Sequence, residues 1–148
     1  MRILMVCLGN ICRSPLAEGV LRHKIQAAGL DWEVDSAGTG GWHRGELPDR
    51  RSIAVSRNHG IDITYQRARQ LQPTDFQQFD LILVMDKSNL QEVQRLAPDT
   101  ASRSKVRLLL DYAHGQLDEV PDPYYDDQAF EPVFQMIHSA CEEIIQKG

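Results

Sequence analysis

Within the first fifteen residues an apolar run, Ile3-Leu4-Met5-Val6, gives way to Cys7-Leu8-Gly9-Asn10-Ile11-Cys12-Arg13 and then to Ser14-Pro15. A short unbroken apolar run of this kind is the pattern of a strand buried on both faces. Ser14 and Pro15 predict a helix start, with Ser14 as N-cap and the proline at the first helical position. Leu16, Val20, Leu21, Ile25 and Ala28 then recur at helical spacing until Gly29, and Trp32 to Ala37 reads as a second strand. Strand, helix and strand within this length predict a crossover unit with parallel strands. Ligands of such sheets gather at the carboxyl ends of the strands, where the Cys7 loop lies.

The loop suits a tetrahedral dianion. Successive N–H groups in a tight turn form an anion-binding concavity, and the following helix directs its positive end at the same point. Arg13 offers a fixed fork of donors to two phosphate oxygens. Gly9 is expected to take a backbone conformation that a side chain would resist. Cys7 then lies at the bottom of an electropositive cup, surroundings that favour a thiolate, a nucleophile in line with phosphorus.

Further on, Gly38 to Pro48 is a glycine-rich loop leaving the second strand, and Asp49 predicts the cap of a helix running to about His59, with Gly60 as its stop. Residues 61 to 73 read as irregular and basic, carrying Arg67 and Arg69. Phe79 to Met85 predicts the third strand, Asp86 the cap of a helix carrying Leu90, Val93 and Leu96, and Lys105 to Leu109 the fourth strand. Gln116 to Asp126 is a polar loop holding Pro121-Asp122-Pro123-Tyr124-Tyr125, and a last helix follows, with Phe130, Val133, Phe134, Ile137, Cys141, Ile144 and Ile145 on one stripe. The alternation of strands and helices predicts an α/β fold, a doubly wound sheet flanked by helices on both faces. The 148 residues suffice for a single domain, 1–148, and are too few for two.

A formal net charge of −5 argues against a general nucleic-acid binder. No apolar stretch approaches the roughly 20 residues that span a bilayer. The N-terminus lacks the shape of a secretion signal, and Gln146-Lys147-Gly148 is no prenylation site. Three cysteines do not suggest a disulfide framework, and a thiolate nucleophile needs a reducing compartment. A cytoplasmic protein is expected, a monomer or weak dimer with neither nucleic-acid nor membrane partner. No spacing of His, Cys or Asp resembles a metal site, so neither metal nor other cofactor is expected, and the loop lacks the Gly-Lys-Ser/Thr ending of nucleotide-binding loops.

The string Val6-Cys7-Leu8-Gly9-Asn10-Ile11-Cys12-Arg13-Ser14-Pro15-Leu16-Ala17-Glu18 carries the Cys-x5-Arg-Ser signature of cysteine-dependent phosphatases. Placed so early in a short chain, it resembles the low-molecular-weight protein tyrosine phosphatases. The resemblance extends over nearly the whole chain and implies four parallel strands. It makes Cys7 the nucleophile of a phosphocysteine intermediate, with Arg13 and the loop residues Leu8 to Cys12 and Ser14 on the phosphoryl group. It makes Asp122, in an Asp-Pro-Tyr-Tyr string, the general acid and then the general base, expected to pack beneath its prolines and tyrosines. Asn10, Ser14 and Ser36 match positions that steady the thiolate, and Trp42, Tyr124 and Tyr125 are candidate walls for a phosphotyrosine ring. Ile11 adds an apolar lip; relatives with Thr there are associated with phosphoarginine. Gln66 stands where many members have His, and a Gln can still bond Asn10. Cys12, on the same loop as Cys7, is a candidate for a reversible protective disulfide or else a small packing residue. The implied partners are tyrosine-phosphorylated proteins, a bacterial tyrosine kinase among them. Two other readings use the same loop: arsenate reduction, for which Cys141 is the only cysteine beyond the loop, and non-catalytic binding of phosphoanions.

Overall fold

The computed structural model describes residues 1–113, 115 and 117–147; Gln116, at which the polar loop is expected to begin, and Gly148 lie outside the described residues. Four strands, β1 (Arg2–Cys7), β2 (Glu33–Gly38), β3 (Leu81–Val84) and β4 (Val106–Leu108), form one sheet in the order β2-β1-β3-β4. Every neighbouring pair is parallel, with Cys7 beside Gly38 and Val6 beside Val84. Side chains of β1 alternate between two cores, as the period of a strand dictates. Ile3, Met5 and Cys7 pack with the first and last helices, α1 (Arg13–Ala27) and α6 (Phe130–Lys147). Leu4 and Val6 pack on the other face with Phe76 of α3 (Asp75–Gln78) and Val93 of α4 (Lys87–Leu96). The sheet is therefore covered on both sides, and the doubly wound arrangement of four parallel strands holds.

The remaining helices are α2 (Arg50–Asn58), which lies against α6, and the single turn α5 (Thr100–Arg103). Gly29, at φ 66°, ends α1 in a Schellman turn, in which Leu30 N–H reaches Ile25 O at 3.1 Å and Gly29 N–H reaches Gln26 O at 3.2 Å. Asp49 caps α2 by accepting from Arg51 N–H. Asp86 caps α4 in a reciprocal box with Asn89. The third strand is shorter than its apolar run, because Phe79 already closes α3 and Met85 turns toward α4.

Two features place a site. The order β2-β1-β3-β4 sends successive crossovers to opposite sides of β1, so the order in which strands are added reverses between β1 and β3. A crevice opens outside the carboxyl ends of strands at such a switch point. The first residues beyond those ends are Leu8 after β1 and Met85-Asp86 after β3.

Candidate active site

Cys7 closes β1 and is 3% exposed. The loop that follows is held from outside by its carbonyls. Thr39 N–H donates to Cys7 O at 3.0 Å, Gly40 N–H to Leu8 O at 2.9 Å and Asp49 N–H to Ile11 O at 2.7 Å. Leu16 N–H closes the first helical bond on Cys12 O at 3.4 Å. In a trans peptide the C=O and the next N–H point in opposite directions. The N–H groups of Leu8, Gly9, Cys12 and Arg13 are thereby turned toward the hollow of the loop, where α1 also begins.

Two local expectations change. The N-cap of α1 is Cys12, not Ser14, and no side chain caps it; Ser14 lies inside the first turn with its hydroxyl 3.0 Å from Cys7 Sγ. Pro15, in the same turn, has no N–H to leave unpaired. Nor does Gly9 take a left-handed conformation. That role falls to Asn10, at φ 57°, while the want of a side chain at Gly9 makes room for His43, whose Cδ2 would stand 3.1 Å from a Cβ there.

Buried Asn10 fixes the direction of a hydrogen-bond chain. Its Oδ1 accepts from Arg69 N–H at 2.9 Å, so its Nδ2 must face the other way, donating to Ser14 Oγ at 2.8 Å and Ser36 Oγ at 3.0 Å. The Ser36 hydroxyl in turn donates to Glu18 Oε1 at 2.7 Å. Ser14, already accepting, has its proton free for Cys7 Sγ. Gln66 does not join this chain. Its Nε2 donates instead to Pro15 O at 3.0 Å and to the Tyr65 hydroxyl at 3.3 Å, while Asn10 Oδ1 accepts from Arg69 N–H.

Arg13, also 3% exposed, donates through Nη1 to Asp86 Oδ2 at 2.7 Å and to Val120 O at 3.0 Å. Burial by itself would favour the neutral guanidine, but the negative charge at Cys7, Asp86 and Asp122 outweighs it and holds the pKa above the ordinary arginine value. Asp86 thus serves α4 with one oxygen and Arg13 with the other. Val120, fully buried, also donates its N–H to Met85 O at 2.8 Å, which ties the segment bearing Asp122 to the end of β3. Asp122 Oδ2 stands 4.0 Å from Arg13 Nη2, and its Oδ1 accepts from Tyr124 N–H at 3.1 Å. Asp122 is not packed under its neighbours as expected: its side chain is 44% exposed at the mouth of the site, and only Pro123 of the flanking pair is buried.

Cys7, Leu8, Gly9, Ile11, Cys12, Arg13, Asp122, Trp42, Tyr124 and Tyr125 line one cleft of about 320 Å³, together with His43. Asn10, Ser14 and Ser36 lie behind it. The aromatic residues differ in setting: Tyr124 is 41% exposed, Trp42 70% and Tyr125 93%. The two tyrosine rings meet edge to face at 5.0 Å, and the Arg51 guanidinium stands 5.4 Å from the Tyr124 ring while pairing with Asp49 and Asp127. Burial, reinforced by the negative charge of Asp49, Cys7 and Asp122, pushes the Cys12 thiol up to about 12. Asp86, Arg51 and His43 were not singled out for the site from sequence, and only the position of Asp86 directly after a strand end could have suggested it.

A family model described as low molecular weight phosphotyrosine protein phosphatase matches residues 2–147. The chain belongs to that family. A low molecular weight protein-tyrosine-phosphatase from Streptomyces coelicolor is 47% identical over 97% of this chain and 91% of its own. The crystal structure of YfkJ from Bacillus subtilis superposes with a TM-score of 0.94 at 39% identity, covering 99% of this chain and 93% of that one. The Drosophila arginine phosphatase DARP superposes with a TM-score of 0.93 at 35% identity, covering 99% and 97%. The low molecular weight phosphatase fold thus accounts for nearly the whole chain, with no helix among the described residues long and apolar enough to cross a membrane.

Proposed function

We propose that this protein hydrolyses phosphotyrosine in proteins through a phosphocysteine intermediate on Cys7, with 1–148 acting as one catalytic domain. The observation that carries the reading is the convergence on one cleft of Cys7 and Arg13, from the loop after β1, and Asp122, from a segment more than a hundred residues further on. The Cys7 thiolate attacks phosphorus; the S–P bond forms as the bond to the tyrosyl oxygen breaks, and Asp122 delivers a proton to that oxygen. Water then attacks phosphorus, Asp122 takes its proton, and the S–P bond breaks to return the thiolate and release inorganic phosphate. Arg13 and the loop N–H groups hold the equatorial oxygens through both steps. The exposure of Asp122 suits this exchange, since the same carboxyl must meet the leaving oxygen and later a water.

Trp42 and Tyr124 frame the mouth for an aromatic ring, with Ile11 as an apolar lip and Tyr125 further out. Tyrosine-phosphorylated proteins, a bacterial tyrosine kinase among them, are the substrates this reading implies, and a reducing cytoplasm is the compartment it requires. Cys12 is proposed as the thiol that traps oxidised Cys7. The test is turnover on phosphotyrosine, phosphoserine and phosphoarginine peptides, with Cys7→Ser as control. Phosphotyrosine is expected to be turned over fastest and Cys7→Ser to be inert. A serine variant as fast as the native protein would end the mechanism, and faster turnover of phosphoarginine would move the substrate to the class named for the Drosophila neighbour.

A further inference from the structure

A second groove, of about 690 Å³, begins where the first cleft ends and shares Leu8 and Trp42 with it. Trp42 is the ridge between the two. Its ring packs on Gly40, where a Cβ would stand 1.9 Å from it, while its outer face is open to solvent. The far wall is α4, which presents Ser88, Gln91, Glu92 and Arg95 at helical spacing to the groove. The near wall is the glycine-rich loop, where Gln70 Nε2 braces Thr39 O at 3.2 Å. The two charges in the groove satisfy each other, with Arg95 Nη2 2.6 Å from Glu92 Oε1, so the lining is polar but without net charge. The opposite rim of the first cleft is different: Asp122 lines it beside the tyrosine pair, and exposed Asp126 and Asp127 follow directly in sequence, with Arg51 already engaged by Asp49 and Asp127.

We propose that this groove binds the polypeptide on one side of the phosphotyrosine, taking main-chain amides and uncharged polar side chains against Ser88 and Gln91 after the chain has crossed Trp42. The inference rests on the phosphatase reading above and adds to it a second subsite for a protein substrate. A peptide has a donor and an acceptor at each residue, which neutral amide and hydroxyl side chains can meet without desolvating a charge. The acidic rim would repel the same segment whenever it carried carboxylates of its own.

The test compares native protein, Gln91→Trp, which fills the groove, and the double variant Ser88→Ala/Gln91→Ala, which removes its hydrogen-bonding side chains. The substrates are a phosphotyrosine peptide with residues on both sides, its two one-sided truncations, and p-nitrophenyl phosphate. For the full peptide, kcat/KM is expected to fall on the order of ten-fold in either variant through KM, with p-nitrophenyl phosphate changed less than about two-fold. One truncation is expected to cost the native protein a similar factor and the variants almost nothing, the signature of a shared contact. Equal changes on peptide and small ester, or none on either, would overturn the groove as a subsite. Failure of the native protein to turn over any of these substrates would instead sink the phosphatase reading.

Discussion

Asn10 holds a conformation that side-chain-bearing residues avoid, at φ 57°, and it is kept there by bonds through both ends of its amide. Replacing it separates backbone from network. Asn10→Ala keeps the left-handed demand and strands Ser14, Ser36 and Arg69 N–H, so a loss of about 2–4 kcal/mol is expected in urea denaturation. Asn10→Gly removes the same bonds but relaxes the backbone, and should lose less. Equal losses would mean that the left-handed conformation carries no strain. Cys12 makes a prediction of another kind. With its thiol pushed up to about 12, its thiolate fraction rises roughly ten-fold per pH unit through the neutral range. Trapping of peroxide-oxidised Cys7 as a disulfide, followed by mass spectrometry, should accelerate accordingly between pH 7 and 9 and vanish in Cys12→Ser. A rate independent of pH would show that Cys12 thiolate is not the attacking species.

At the scale of elements, the helices do more than cover the sheet. Asp49 caps α2 with its carboxylate while its own N–H holds Ile11 O in the loop of the site. Asp49→Ala is expected to cost about 1 kcal/mol of stability, and Asp49→Asn, still a good cap, only a fraction of that. Because the N–H that supports the loop belongs to the backbone, kcat on a small aryl phosphate should stay within about two-fold in both, while a large fall would assign the carboxylate a part in the site. How much was legible beforehand divides along the same line. Strands, long helices and glycine stops announce themselves through periodicity and local chemistry, and the Cys7–Arg13 loop is a contiguous string. The single turns α3 and α5 are too short for any period to register. Ser14 looks like a cap because it precedes a proline, and only the curl of the loop shows its hydroxyl facing sulfur instead. Asp86 reads as a cap and is one, but that its other oxygen grips Arg13 follows from the pairing of β1 with β3, which no local pattern encodes. Gln66 could reach several acceptors, and that it takes Pro15 O is set by tertiary packing between segments 51 residues apart in sequence.

Across the whole molecule, the carboxyl most at odds with its surroundings is Glu18, 4% exposed behind the site. Burial lifts its pKa from the ordinary 4.5 to about 6, against the pull of hydrogen bonds from Ser36 and Tyr65 and of the nearby Arg22 charge, with Asp35 adding to the rise. The native state therefore binds more protons than the unfolded chain between those values, and its stability falls as pH rises through them. Above that window the ionised Glu18 costs about 2 kcal/mol. Glu18→Gln, which keeps an acceptor for Ser36, is expected to flatten this slope, so that the urea midpoints of variant and native protein diverge in favour of the variant from pH 4.5 to 7. Parallel curves would place the pH dependence elsewhere. The loop in front of Glu18 has a consequence for the reaction cycle as well. Its carbonyls are fastened by the backbone N–H groups of Thr39, Gly40 and Asp49, so its donors are aimed before any anion arrives. A receptor shaped in advance for one tetrahedral oxyanion accepts others of that shape, the released product included. Free phosphate and vanadate should then compete with substrate, and in a cell the speed of this protein would depend on how quickly its own product leaves.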